Sequence, residues 1–537
     1  MNFVPSCCQI YHDDPQRWDV AWNLYKKDVA NIYAGGLRPG TAGADLSSKV
    51  DPFMVLKLES QPGYPESFGE RNFGQAQLGD RRRTRRLVRV ADTIARHPGG
   101  TLPDKLKSPA ELEALYHLMN CKTVTHQSVL EPHRLLSLER IRQRADFTLV
   151  IHDTTELDFT AHESLGGELG QIGNGNHKGY LCHNSLAVDP STREVIGLTN
   201  QILHRRADVQ ADETQIQRRE RENRESRLWL QGTQTLPASD RLVDVCDRGA
   251  DTFEFLEHEV HSGRLFVIRS CYNRSIYQAH NATAPRGRLH DFARTLEPLA
   301  NTTTEVTGRF IERKVQRKGK KTRVWQTART AQLCVAAAPI LLRAPTSKNG
   351  EHRNDPLPLW IVRVWEPNPP EGEKGLEWFL LTNRPIITAE NALETVSWYE
   401  CRWIIEEFHK AAKTGCGIEN PQFTSAERLQ PMIALLSVVA LTLLNLRELS
   451  RHRNAKMRPA TDVVSVEYVR VLSVWRHGRI REDWTIHDFF FALARLGGHQ
   501  NRKRDHHPGW LVLWRGWSYL QAMLAGVESM KNVKRSA

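Results

Sequence analysis

The sequence predicts an α/β protein in which a sheet-containing core is preceded and followed by helical regions. Between about residues 147 and 270, apolar strand-like runs alternate with helix-like periodicity. From about 271 to 370, β-branched stretches and Pro-rich joints are typical of further β structure, and the segments on either side of the core repeat their apolar residues at helical spacing. At 537 residues the chain is too long for one compact core, so several domains are expected.

Four regions follow from this pattern. Residues 1–60 mix short apolar pieces with Gly, Pro, Asp and Ser without a sustained period, which predicts a poorly ordered extension. Residues 61–125 predict a helical domain, in which Asp80 caps a helix that runs to about Ala95 and stops at "HPGG". Residues 126–425 form the core, with a β insertion at about 271–370, and residues 426–537 are predicted to be helical.

Two aspartates stand out in the core. Asp153 ends the apolar run "FTLVIHD" and Asp247 ends "DRLVDVCD", and polar residues follow each of them. A carboxylate at the carboxyl end of a strand is well placed to bind a cation. Taken one at a time, each residue is explained better without a metal: Asp153 would cap a turn with Thr154 and Thr155, and Asp247 would pair with Arg248.

The segment from Trp398 to Glu419 is predicted to be one helix, because it lacks Pro and its apolar residues recur every three or four positions. Its polar residues fall in a narrow stripe instead of a broad solvated face: Tyr399, Arg402, Glu406, Lys410 and Lys413. An exposed helix with a Glu406–Lys410 ion pair is the alternative interpretation, but it leaves the alignment of Tyr and Arg unexplained.

Together, Asp153, Asp247 and Glu406 make an oxygen-ligand set suited to Mg²⁺, or Mn²⁺ in its place. Two such ions activate a water or a 3′-hydroxyl in phosphodiester chemistry. Arg402 and Lys413 would then neutralise phosphates, and Tyr399 would hydrogen-bond a phosphate oxygen.

Composition favours a nucleic-acid partner over a membrane surface. The 74 Lys and Arg residues exceed the 62 Asp and Glu residues by 12, and this excess of positive charge favours a polyanion. The nine cysteines are scattered and contain no CxxC pair, so neither a disulfide framework nor a zinc site is indicated. No secretory signal pattern opens the chain, and the longest apolar run, Met432 to Leu446, is interrupted by polar residues. A cytoplasmic protein without a membrane partner is expected.

The run "YxxRWxIEEFHKxxKTGxGxE" resembles the Tyr-Arg-Glu-Lys signature of DDE transposases from bacterial insertion sequences of the IS-four group, and within them the Tn-five-type cut-and-paste transposases. Tyr399, Arg402, Glu406 and Lys413 fall on that signature. The blocks "HDTTEL", "CDRGAD", "ALARLGG" and "WLVLWRGW" agree in order, and "LGDRRRTRRLVRVA" is similar to the family's N-terminal DNA-binding motif. The resemblance runs from about residue 65 to the end.

The resemblance implies a ribonuclease H-like core with Asp153, Asp247 and Glu406 as catalytic metal ligands. It implies cleavage at double-stranded transposon ends through a hairpin, joining to target DNA, and a homodimer in the DNA complex. Localisation would be cytoplasmic in a bacterium, with association to the nucleoid when the protein is bound to DNA. The remaining residues that it assigns to DNA contacts are Trp378, which would stack on a flipped base, Arg269 beside the active site, and Arg83, Arg86 and Arg96 in the first domain.

Two other functions remain open from the sequence: a non-catalytic DNA-binding regulator of transposition, and a structure-specific nuclease on the same fold. The predicted dimer surface is the apolar C-terminal helix, which carries more apolar residues than one packed face hides; the alternative is that these residues close the chain's own core. Those residues are Trp510, Leu511, Leu513, Trp514, Trp517, Leu520, Met523 and Leu524.

Overall fold

The computed structural model describes residues 67–207, 213–214, 217, 221, 223–279, 281–306, 308–314, 321–345, 355–451, 454–502 and 507–536. The predicted extension at residues 1–60 and most of the charged run before Glu225 lie outside these residues. The described chain forms two compact units, a larger one of residues 67–271 and 394–536 and a smaller one of residues 272–345 and 355–393.

The larger unit opens with five helices. Asp80 caps the second of them as predicted, since its side chain accepts a hydrogen bond from the Arg82 backbone N–H at 2.8 Å. The last helix begins at His126, directly after Thr125, which provides a capping box. Their bounds are α1 Phe68–Phe73, α2 Arg81–Arg96, α3 Leu102–Leu106, α4 Pro109–Met119 and α5 His126–Arg142.

A mixed sheet follows in the same unit. β1 and β3 pair antiparallel, β3 and β4 pair antiparallel, and β1, β5 and β6 run parallel in that order. Helix α6 comes before β5, and α7 connects β5 to β6. The bounds are β1 Thr148–Asp158, β2 Gly170–Gln171, β3 Lys178–Val188, β4 Val195–His204, α6 Leu228–Gln234, β5 Leu242–Cys246, α7 Phe253–His261 and β6 Leu265–Arg269. The predicted α/β character is therefore confirmed.

The smaller unit is mostly antiparallel β structure. β12 is its centre: it pairs with β13 on one side and with β7 and β9 on the other, and β13 continues to β14. The bounds are β7 Ser275–Gln278, β8 Asn281–Arg288, α8 Leu289–Arg294, β9 Ala300–Val306, β10 Arg309–Lys314, β11 Lys321–Gln326, β12 Arg329–Leu342, β13 Leu357–Trp365 and β14 Glu377–Thr382.

The predicted single helix from Trp398 to Glu419 is wrong. The chain forms α9 (Ala389–Glu400), a turn at Cys401–Arg402, α10 (Trp403–Lys410) and a π-helical turn at Ala411–Gly415. At the break the bonds tighten to three-residue spacing, from Arg402 N–H to the Tyr399 carbonyl and from Ile405 N–H to the Arg402 carbonyl. Apolar periodicity does not distinguish these local changes in helical pitch.

The C-terminal helices are α11 Ala426–Arg451, α12 Val466–His477, α13 Ile486–Leu496 and α14 Trp510–Ser536. In α11, Ala426–Asn445 is long and apolar enough to cross a bilayer, but 83% of the apolar window is buried inside the chain. That burial is typical of a core helix, in agreement with the polar interruptions in its sequence.

The sequence predicts that the apolar face of α14 contacts a second copy. Most of this face is instead packed inside the chain's own fold. Trp517 stacks on Tyr468 of α12 at 5.1 Å between ring centroids. A Cβ on Gly497 or Gly516 would meet a backbone carbonyl of the facing helix at less than 2 Å, so these glycines allow α13 and α14 to approach closely. Five of the apolar residues are thereby buried in the chain's own core: Trp510, Leu513, Trp514, Trp517 and Leu520.

Candidate functional site

Asp153 and Asp247 are brought side by side by the parallel pairing of β1 and β5. The register pairs His152 with Cys246, and each aspartate is the next residue along its strand. Asp247 follows β5 directly, as predicted, and its carboxylate accepts the Gly249 backbone N–H at 2.9 Å. Asp153 does not end its strand, because β1 continues along β3 as far as Asp158. Asp153 lies just past the last β1–β5 pair, so no strand of the described chain pairs with it on the β5 side.

Helix α10 supplies the third carboxylate. The side chain of Arg402, in the turn before α10, reaches both Asp153 Oδ2 at 3.2 Å and Glu406 Oε1 at 3.4 Å. Carboxylates from a strand and a helix, 253 positions apart in the chain, therefore share one guanidinium. In the alternative interpretation Glu406 would pair with Lys410, but its ion pair is with Arg402.

The electrostatics of the site are unfavourable for ionised carboxylates. Burial, reinforced by the charges of Asp247 and Glu406, raises the pKa of Asp153 to about 7, against the opposing charge of Arg402. Burial likewise raises the pKa of Asp247, with Glu406 adding to the effect and Arg402 opposing it. The three carboxylates therefore interact electrostatically, and the site has an excess of negative charge that a cation would balance.

His409 is a site residue that the sequence reasoning missed. One ring nitrogen of His409, one Asp153 oxygen and one Glu406 oxygen all lie within 4.8 Å of one another. Burial lowers the pKa of His409 to about 3, with Lys413 and Arg402 contributing, so its imidazole is neutral near pH 7. The available signal was its position three residues after Glu406, which places both on one helix face.

Tyr399 and Arg269 contact each other at the edge of the site. Tyr399 is buried, with 6% of its surface exposed, and burial raises the pKa of its phenol. Its side chain hydrogen-bonds that of Arg269, the last residue of β6. The two predicted phosphate contacts are thus linked within the protein.

Lys413 is also engaged within the protein. In the π-helical turn, its ammonium lies 3.3 Å from a Glu419 carboxylate oxygen. The same Glu419 oxygen accepts the Asp158 backbone N–H at 2.9 Å, which ties the turn to the end of β1. Trp378 lies in the smaller unit on β14, opposite Val364.

The first-domain arginines divide into two groups. Arg83 donates to the Leu78 carbonyl at 2.9 Å and to Thr123 Oγ1 at 3.0 Å, and Arg86 lies 3.4 Å from Glu111. Both are half-buried and hold the helices of this domain together. The exposed arginines at four- and seven-residue spacing along α2 form a basic row that was only partly predicted: Arg81, Arg85, Arg89 and Arg96.

This helical domain has a recognisable relationship to known proteins. Residues 65–124 match the family model described as transposase DNA-binding. This segment is similar to transposase DNA-binding domains. The matched segment spans α1 to α4 and includes the basic row on α2. The match supports a DNA-binding transposase with DNA as the partner of this region.

Proposed function

We propose that the protein is a DDE transposase of the IS-four group, similar to Tn-five-type enzymes, which binds transposon ends, cuts them and joins them to target DNA. One observation carries the proposal: a chain with a transposase DNA-binding domain also brings Asp153, Asp247 and Glu406 into one electrostatically coupled site. A ribonuclease H-like core is part of the proposal, and the antiparallel β4-β3-β1 meander extended by parallel β5 and β6 supports it.

The residues present fit a divalent metal centre. The buried Asp153 and the half-buried Asp247, both with raised pKa values, and the half-exposed Glu406 form a hard oxygen set with excess negative charge. Asp153, Asp247 and Glu406 would hold Mg²⁺ or Mn²⁺, which supplies charge stabilisation and an activated hydroxyl for phosphodiester cleavage when bound. Removal of the Asp153 proton is a requirement for binding, since only the carboxylate is a ligand.

The chain's own cations would act on the DNA backbone. Arg402 balances Asp153 and Glu406, and once another cation balances them its guanidinium becomes available to a phosphate. Arg269 lies at the end of β6, the strand next to β5, so it stands on the same edge of the sheet as Asp247. Both arginines would neutralise phosphate charge as the backbone is cut.

The proposed reaction proceeds in four steps. Water first nicks the transposon end, and the freed 3′-hydroxyl attacks the opposite strand to give a hairpin. A second water then opens the hairpin, and the 3′-hydroxyl attacks target DNA. In this proposal Trp378 stacks on the base flipped out at the hairpin, which compensates the cost of unpairing. Two ends must be held together, so a homodimer on DNA is proposed, in a bacterial cytoplasm.

Cleavage and joining by the intact protein test the proposal. The substrate is a DNA fragment with the inverted repeats that flank the gene, incubated with Mg²⁺ or Mn²⁺ and a target plasmid. We expect cut ends, hairpins and joined products from the wild type, and end binding without cutting from Asp153→Asn. Asp158→Asn, on the same strand but exposed, is the matched control and should cut normally.

The two alternatives give different products. A regulator of transposition would bind the ends and cut nothing, and a structure-specific nuclease would cut without joining. Either result in the wild type overturns the proposal.

A further inference from the structure

A line of polar side chains, buried beyond the half-buried His126, leads to His409 from the start of α5. His126 Nε2 lies 2.9 Å from Gln201 Oε1, and Gln201 Nε2 donates to Asn184 Oδ1 at 2.8 Å. Asn184 Nδ2 then lies 3.1 Å from His409 Nε2. Asn184 is the direct cross-strand partner of Asp153. The line therefore ends at the carboxylate site.

A backbone carbonyl beside this line determines which way the Asn184 amide points. The Cys182 backbone carbonyl can only accept a hydrogen bond, and Asn184 Nδ2 lies 3.3 Å from it. Turning the Asn184 amide over would place its oxygen against that carbonyl and its NH₂ group against Gln201 Nε2, which is a donor. Asn184 therefore points its N–H groups toward Cys182 and His409.

The tautomer of His409 follows from this orientation. Because Asn184 donates to Nε2, that nitrogen carries a lone pair and no proton. The single proton of the neutral ring is then on Nδ1, and burial of the ring agrees with a neutral imidazole. Neither nitrogen has a lone pair to offer: that of Nε2 is used by Asn184, and Nδ1 is an N–H donor.

We infer that Asn184 holds His409 as the Nδ1–H tautomer and so excludes it from the metal ligands. His409 is then a positioning residue, a neutral donor beside Asp153 and Glu406, although the three groups lie close enough to suggest a three-ligand site. The ligand set stays all-oxygen, which suits Mg²⁺ and Mn²⁺, whereas an imidazole ligand would favour Zn²⁺. Asn184 thereby determines metal specificity. The metal part of this inference rests on the proposed function; the tautomer part does not.

The tautomer is measured first, in the metal-free intact protein. Long-range ¹H–¹⁵N correlation spectra distinguish Nδ1–H from Nε2–H imidazole, and the signals missing in His409→Gln identify the residue. We expect Nδ1–H in the wild type. Asn184→Asp replaces the donor by an acceptor, so His409 should change to Nε2–H in that variant. A wild-type Nε2–H ring overturns the inference whether or not the protein is a transposase.

Metal ligation is measured with Mn²⁺ alone by pulsed electron paramagnetic resonance, which detects directly coordinated ¹⁴N. The wild type should show none, and His409→Gln should bind Mn²⁺ within about threefold of the wild type. Asn184→Ala removes the donor, so either ring nitrogen can then offer a lone pair, and this variant should gain ¹⁴N coupling and bind Zn²⁺ about tenfold more tightly relative to Mn²⁺. Nitrogen coupling in the wild type that His409→Gln removes would refute the inference. If Mn²⁺ does not bind and Asp153→Asn changes nothing, the proposed metal site fails, and the spectra still decide the tautomer.

Discussion

Replacing Asp153 by Asn should stabilise the metal-free protein at pH 8 while abolishing cleavage. The wild-type carboxyl has a pKa of about 7 in the folded chain against an ordinary value of 3.8, so folding favours its protonated form. This contribution to stability is complete below pH 3.8 and is lost as the pH rises through 7. At pH 8 the wild type holds an ionised carboxylate that its surroundings disfavour, and the neutral amide has no such penalty.

The size of the effect follows from the same two values. At 1.36 kcal/mol per pH unit, the difference between 3.8 and about 7 corresponds to roughly 4 kcal/mol as an upper limit. The attraction of Arg402 is already included in that pKa, because it opposes burial and the charges of Asp247 and Glu406. For a chain of this length the increase in Tm is on the order of a few degrees.

Thermal unfolding in EDTA at pH 5 and pH 8 measures the difference. We expect the variant to melt above the wild type by the full margin at pH 8 and by a smaller one at pH 5, where only about 2 of the roughly 4 kcal/mol applies. Mg²⁺ should raise the wild-type Tm and leave that of the variant unchanged. Asp158→Asn is the matched control: hydrogen bonds from Thr160 and His177 lower the Asp158 pKa against slight burial, so its loss should not stabilise the protein at pH 8. An Asp153→Asn protein that melts below the wild type at pH 8 would refute the reasoning.

Three further outcomes are expected. Arg85→Ala should weaken binding to end DNA in a gel shift and lower the slope of log affinity against log salt by about 1, since Arg85 lies exposed in the basic row; an unchanged slope would remove it from the interface. Arg264→Met should cost roughly 3–5 kcal/mol in urea unfolding, because Asp244 and Glu259 would lose their buried partner; a loss below about 1 kcal/mol would show the network to be dispensable. Trp378→Ala should slow hairpin formation about tenfold on denaturing gels without slowing the first nick, as base stacking is worth about 1–3 kcal/mol; equal slowing of both steps would exclude a stacking role.

The sequence allowed the strands, the first-domain helices and the three carboxylates to be predicted because each has a local signal. Asp80 precedes a helical period, and Asp247 follows an apolar run that is a strand. The convergence of Asp153 with Glu406 has no local signal; it was inferred from the metal-ligand chemistry that the three carboxylates share and from the resemblance to a family. The end of β1 was also misjudged, because pairing with β3 extends the strand past Asp153. Such pairing is a tertiary property without a local signal.

Contacts that depend on packing could not be predicted. The alternation of polar and apolar residues gives no hint that Arg83 would be used inside its own domain. Nor does it show that Trp517 would stack on Tyr468 and bury a face that looked suited to a partner. Asn184 was passed over because a lone Asn in an apolar strand carries no pattern, although it faces Asp153 directly.

Asp153, whose ionised form is disfavoured, lies on β1, and the neighbouring residue His152 holds this strand in position. His152 hydrogen-bonds Ser185 of β3 at 2.9 Å and Asp244 of β5 at 2.8 Å, so it joins β1 to both of its neighbours. Burial opposes ionisation of Asp244, but His152 and Arg264 together hold its pKa below the ordinary value.

Successive residues of a strand point to opposite faces. The His152 side of β1 is therefore a closed, fully buried network, and the Asp153 side is a site with excess negative charge. The network determines where β1 lies relative to β3 and β5, and this position brings Asp153 next to Asp247 and opposite Asn184. A carboxylate that weakens the fold at pH 8 is thus held in place by the hydrogen bonds that the residue next to it makes to both neighbouring strands.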